Sequence, residues 1–120
     1  MKIVKGFRHT GIICKDIEKS LHFYRDLLGL DVIQDFWDSS DYINKITGIK
    51  QGNVHMIKLK ADDGSVLELL DYVTHPTKTI NFEVYNVGAC HLALQVNNID
   101  EAYQQLTKYG VEFISGPVLS

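Results

Sequence analysis

The chain has 120 residues, 45% hydrophobic and 22% charged, and 12 Lys and Arg against 15 Asp and Glu leave a formal charge of −3. This describes one ordinary globular domain, with no basic field or aromatic-interleaved Lys/Arg cluster to gather nucleic-acid phosphates. No apolar run approaches the roughly 18 residues of a membrane span, and Met1-Lys2-Ile3-Val4-Lys5 lacks a signal-peptide core, so a cytosolic protein without nucleic-acid or membrane partners is expected.

Residues 7–14 read as a strand ended by Lys15-Asp16, with Asp16 placed to cap a following helix. Ile17, Leu21, Tyr24 and Leu28 then recur at spacings of 4, 3 and 4, the stripe of an amphipathic helix, and Gly29 supplies the stop. Residues 30–36 are β-rich, whereas 37–52 mix polar residues and glycine in an excursion with room for one helical turn. Residues 54–60 and 65–72 form two more strand runs, separated by Ala61-Asp62-Asp63-Gly64, which carries the Asp-Gly signature of a hairpin turn. The first module, residues 1–73, is therefore β-α-β-β-β, and residues 74–88, with Pro76 and no clean period, form a connector.

The chain then repeats itself. His9-Thr10-Gly11-Ile12-Ile13-Cys14-Lys15-Asp16-Ile17-Glu18 aligns with His91-Leu92-Ala93-Leu94-Gln95-Val96-Asn97-Asn98-Ile99-Asp100 at an offset of 82, and Gly29-Leu30-Asp31 lies over Gly110-Val111-Glu112 at 81. Residues 89–120 accommodate β-α-β only, so the last two strands of a second module are missing, and a truncated sequence is expected because unpaired strand edges invite aggregation. Cys14 and Cys90 lie in apolar strand-like runs too far apart to suggest a disulfide framework, and both are expected as buried thiols.

Of five histidines, His22 belongs with the polar side of the helix, His75 precedes Pro76, and His55 lies in a strand whose facing the sequence leaves open. His9 and His91 are equivalent by the repeat. Strand alternation puts Phe7, His9, Gly11 and Ile13 on one face, and Ala89, His91, Ala93 and Gln95 on the matching one, with the small residues Gly11 and Ala93 leaving room in front of the sheet. Glu68 is a carboxylate within the apolar run Val66-Leu67-Glu68-Leu69-Leu70. Two imidazoles and a carboxylate converging from separate strands make a divalent-metal site with open coordination positions. The alternative is three unrelated residues, the imidazoles satisfied by hydrogen bonds and Glu68 at an exposed edge.

The blocks Arg8-His9-Thr10-Gly11-Ile12, Phe23-Tyr24-Arg25-Asp26-Leu27-Leu28-Gly29-Leu30, Val66-Leu67-Glu68-Leu69 and Gly88-Ala89-Cys90-His91-Leu92-Ala93-Leu94 resemble the vicinal oxygen chelate superfamily, over nearly the whole chain. Its members include glyoxalase I, methylmalonyl-CoA epimerase, extradiol dioxygenases and bleomycin-resistance proteins. The resemblance implies an α+β fold in which paired βαβββ modules form a cupped mixed sheet around one divalent ion (Ni, Co, Zn, Mn or Fe), and a homodimer. It also implies His9, Glu68 and His91 as metal ligands. The family's usual fourth ligand, a Glu of the last strand, would fall near position 149 by the offset of 81, beyond Ser120.

Glu68 is then the candidate catalytic base, and Phe7, Ile13, Lys58, Tyr72 and Gln95 the candidate substrate pocket. Ile13 and Tyr72 stand where glutathione-using bacterial members place an Arg and an Asn, so that tripeptide clamp is absent. For Lys58 the competing reading is an exposed lysine on an edge strand.

The leading expectation is a metal-dependent lyase or isomerase of glyoxalase or epimerase type, abstracting a proton next to a carbonyl of a chelating small molecule. One alternative is a non-catalytic drug- or metabolite-binding dimer of bleomycin-resistance type. Another is an Fe(II) extradiol dioxygenase, whose ring-cleaving members usually carry a His where Glu68 stands.

Overall fold

The computed structural model describes residues 1–120, which divide into two compact units, Met1–Thr79 and Ile80–Ser120. No helix is long and apolar enough to cross a membrane.

The first unit is a βαβββ module. Strand β1 (Thr10–Ile13) leads into helix α1 (Ile17–Leu21), which continues over His22–Leu27 in a wider π-type winding. Then follow β2 (Asp31–Asp38), helix α2 (Asp41–Thr47), β3 (Val54–Lys60) and β4 (Val66–Tyr72). The sheet order is β1-β4-β3-β2, with β1 parallel to β4 and the other pairs antiparallel.

Local chemistry accounts for the boundaries. Asp16 caps α1 as its sequence position predicts, its carboxylate accepting from the Lys19 amide at 3.2 Å. The winding past Leu21 opens where the Leu28 amide donates five residues back to the Phe23 carbonyl at 3.0 Å, and Gly29, at φ 80°, ends it in a conformation that a Cβ disfavours. Between β3 and β4 the Ala61 amide donates to the Ser65 carbonyl at 2.9 Å, closing the expected hairpin with Gly64 at φ 88°. β2 runs to Asp38, taking in two residues assigned from sequence to the excursion, and the rest of that excursion holds α2, two turns rather than one.

β3 and β4 are interior and carry buried apolar side chains on both faces, as strands covered on both sides do. On one face Ile57, Leu59, Leu67 and Leu69 pack with Cys14 and with Ile17 and Leu21 of α1. On the other, Val54 and Met56 pack with Ile43 of α2, flanked by Phe36, Leu70 and Tyr72. Burying a side chain such as Leu69 or Ile57 completely contributes about 1.5–3 kcal/mol. Edge strand β2 is bulged at Ile33, between the pairs Val32↔Leu59 and Gln34↔Lys58, and carries Asp31, Asp35 and Asp38, charges that discourage edge-to-edge pairing.

The second unit contains α3 (Ile99–Lys108), capped by Asn98, whose side chain accepts from the Glu101 amide at 3.0 Å. Asp16 and Asn98 are 82 apart; Gly29 and Gly110, both at positive φ, are 81 apart. The repeat therefore recurs as matching start and stop signals. The flanking runs 89–96 and 111–114, expected as strands, form no ladder, since a strand exists only through a partner and neither run is paired. For the same reason Cys90 is exposed, correcting the expectation of a buried thiol, whereas Cys14 is buried under α1.

Candidate metal centre

Pairing in the sheet decides which side chains share a face. Glu68 lies opposite Gly11 of β1 and Lys58 of β3, and Lys58 lies opposite Gln34 of β2, so Gly11, Glu68, Lys58 and Gln34 form one row across the sheet. Glu68 is only 8% exposed and sits on an interior strand, which removes the edge-carboxylate alternative. His9 precedes β1 with the parity of Gly11, and its Nε2 comes to 3.8 Å from Glu68 Oε1, with a third of the imidazole exposed (33%). On the other side Lys58 Nζ lies 3.6 Å from Glu68 Oε2. The carboxylate thus turns one oxygen to an imidazole and the other to an ammonium, the kind of pairing a buried charge requires.

For Lys58 the competing reading, an exposed lysine on an edge strand, does not hold. It is neither exposed nor on an edge strand: its side chain is 22% exposed and β3 is interior. The signal was present in the hairpin. Once Lys60 pairs with Val66 across the turn, counting back by two on one strand and forward by two on the other brings Lys58 against Glu68. The room expected in front of Gly11 is partly taken, since a Cβ there would meet Leu70 Cδ1 at 3.3 Å.

The remaining candidates separate. Phe7 and Ile13 are exposed, and Tyr72 is half-buried against the α2 cluster. His91 and Gln95 belong to the second unit, where both are exposed. Within the first unit no third His, Cys, Asp or Glu completes the His9–Glu68 pair. His22 is exposed as expected and its Nδ1 lies 2.9 Å from Asp26 Oδ2. His55, whose facing the sequence left open, points to the face opposite Glu68; it is buried, 2.7 Å from Asp35 Oδ1, and its ring stacks on Trp37 with centroids 4.4 Å apart. That histidine is satisfied structurally and lies apart from the Glu68 row.

His9 and Glu68 fit a divalent transition ion in donor type, an imidazole nitrogen with a carboxylate oxygen. Two ligands at about 2.1 Å from one ion at tetrahedral angles stand about 3.4 Å apart. The observed 3.8 Å is within a small side-chain adjustment of that spacing.

Comparison with known proteins bears on this fold and site. The family model for the glyoxalase/bleomycin resistance protein/dioxygenase superfamily matches residues 6–119, and the chain belongs to that family. It is 31% identical over 110 residues to the uncharacterized protein YwkD of Bacillus subtilis (strain 168), covering 92% of this chain and 76% of that protein. A glyoxalase family protein from Bacillus cereus has the same fold at a TM-score of 0.81, with 22% identity over 99% of this chain and 81% of its own. The fosfomycin resistance protein FosX from Listeria monocytogenes, solved with Mn(II) and a sulfate ion, aligns at a TM-score of 0.59 and 18% identity, over 92% of this chain and 75% of its own.

Proposed function

We propose that this protein is a divalent-metal-dependent lyase or isomerase of glyoxalase or epimerase type, in which His9, Glu68 and His91 hold the ion. The observation that carries the reading is the Glu68 carboxylate, buried at 8% exposure in an interior strand with one oxygen toward the His9 imidazole. FosX, similar in fold, holds Mn(II), which supports a divalent ion as the cofactor. When bound, the ion supplies Lewis acidity to neighbouring oxygens of a hydroxy-carbonyl or acyl substrate. His9 contributes a neutral imidazole nitrogen, and Glu68 contributes Oε1 as ligand. Glu68 alternates between holding the ion and accepting the proton from the carbon next to the substrate carbonyl, which goes back to the neighbouring carbon in an isomerisation or to the same carbon in an epimerisation. The protein acts on a small molecule, as a homodimer in the cytoplasm.

The test is elemental analysis of protein purified without chelator or affinity metal, beside His9→Ala, Glu68→Gln and His91→Ala, followed by deuterium incorporation next to the carbonyl of hydroxy-carbonyl substrates in heavy water. About one equivalent of a transition metal is expected in the parent, with loss in each variant. No metal after reconstitution with Ni, Co, Zn, Mn and Fe(II) overturns the reading in favour of a binding module. Oxygen uptake with a catechol overturns it in favour of ring cleavage.

A further inference from the structure

We infer that residues 1–8 pair as an added strand along the free edge of β2 in a second copy of the chain. The inference draws nothing from the metal reading; it gives the proposed homodimer a contact surface.

Two segments of the first unit lack a neighbour. β2 is an edge strand of eight residues, bonded to β3 on one side only, so its outward N–H and C=O groups have no ladder. Residues 1–8 carry no regular structure and are exposed throughout, with Ile3, Val4 and Phe7 interleaved with Lys2, Lys5 and Arg8.

The two sequences match in opposite directions. An antiparallel register that sets Lys5 against Asp35 also sets Gly6 against Gln34, Val4 against Phe36, Ile3 against Trp37 and Lys2 against Asp38. Once the bulge at Ile33 is passed over, Phe7 meets Val32 and Arg8 meets Asp31. Each acid of β2 then faces a base and each paired apolar residue faces an apolar one, the cross-strand pairs that stabilise a sheet. Facing is kept as well. Val32, Asp35 and Trp37 share the face of their partners Leu59, Ile57 and His55 and receive residues 7, 5 and 3, while the Glu68 face receives 8, 6, 4 and 2. A slip of one residue puts Gly6 or Val4 against Asp35 and loses the match. The acids that discourage pairing between two β2 edges therefore select a basic strand.

That strand must come from another copy. β1, to which the segment is joined, lies at the far edge of the sheet, three strand spacings or about 14 Å from β2. Arg8 is two residues before Thr10 and reaches no more than about 7 Å from it. The receiving edge is already prepared: Trp37 is held by its stack on His55, and His55 engages only Oδ1 of Asp35, leaving Oδ2 for Lys5.

The test uses the full chain. Trp37 is its only tryptophan, so emission should shift to shorter wavelength as concentration rises and Ile3 covers the ring, in step with a rise in mass by sedimentation velocity. In an equal mixture of ordinary and isotope-labelled chains, carbodiimide should join Lys5 to Asp35 and Lys2 to Asp38 in peptide pairs of mixed label. The double variant Lys2→Glu, Lys5→Glu, altered only in the exposed segment, should weaken association about tenfold or more, and Lys2→Arg, Lys5→Arg should keep it.

Unchanged association in the Glu variant overturns the inference. So do cross-links from Lys2 and Lys5 that run to other carboxylates, and so does a chain that stays monomeric with Trp37 emission fixed at every concentration. Metal content should be the same in the parent and both variants, so failure of the metal reading and failure of this inference are read separately.

Discussion

Asp26, on the exposed side of the segment that continues α1, sits between a guanidinium and an imidazole. The Arg25 Nε donates to its Oδ1 at 2.7 Å, and His22 Nδ1 lies 2.9 Å from its Oδ2. Hydrogen bonding from Arg25, then from His22, holds the carboxyl down at about 2, below its ordinary value of 3.8. Because the folded value is depressed, whatever this cluster contributes to stability is present above the ordinary carboxylate range and is lost as pH falls through about 2. In a carbon-detected NMR titration the Asp26 carboxyl should titrate near 2, and Arg25→Gln should raise its midpoint toward 3.8; an unmoved midpoint would show that Arg25 is not the cause. Single residues of this kind were readable from local spacing: Asp16 as a cap, His22 as solvated, Glu68 as the anomalous carboxylate. What spacing alone left open was facing. His55 and Lys58 are three apart on one strand, so they serve opposite faces, and only the hairpin register tells which of them meets Glu68.

The two capped helices can be compared directly. Asp16 and Asn98 occupy equivalent positions and each accepts the amide three residues on, from Lys19 and Glu101. Removing either acceptor strands an amide at a helix start, so Asp16→Ala and Asn98→Ala should each lower stability by about 1 kcal/mol in urea unfolding, whereas exchanging Asp and Asn between the two sites should be nearly neutral. An effect of Asn98→Ala below a few tenths of a kcal/mol would show that α3 is marginal in solution. Helix starts, the hairpin and the apolar strands were legible because each depends on a few adjacent residues. The end of β2 was not, because Trp37 is drawn into the strand by its partner His55, a residue 18 positions away that no local pattern announces. The π-type winding after Leu21 was also invisible, since the 4, 3, 4 spacing of apolar residues suits an ordinary α-helix equally well.

Across the whole molecule the two units differ in how their backbone is satisfied. β3 and β4 are paired on both sides and hold the most buried side chains, Val54, Ile57, Leu59 and Leu69. Residues 89–96 have no ladder. Hydrogen exchange followed by mass spectrometry should therefore find the peptide over 54–72 slowest and that over 89–97 among the fastest; slow exchange over 89–97 would mean that a partner strand engages it in solution. Of the repeat, the helix caps and the closing glycines recur in the structure, but whether its second half forms a sheet could not be read from a repeat alone, because strand formation is decided by the presence of a neighbour. The parity of the paired strands has one further consequence. On β3 and β4 the residues on the Glu68 face, Lys58 beside it and Val54, Met56 and Leu70 in the cluster under α2, alternate with Ile57, Leu59, Leu67 and Leu69, which pack with α1. Each face of these two short strands therefore answers to a different helix, so a change of volume at Val54 or Met56 is felt under α2 while the packing of α1 on the opposite face is left in place.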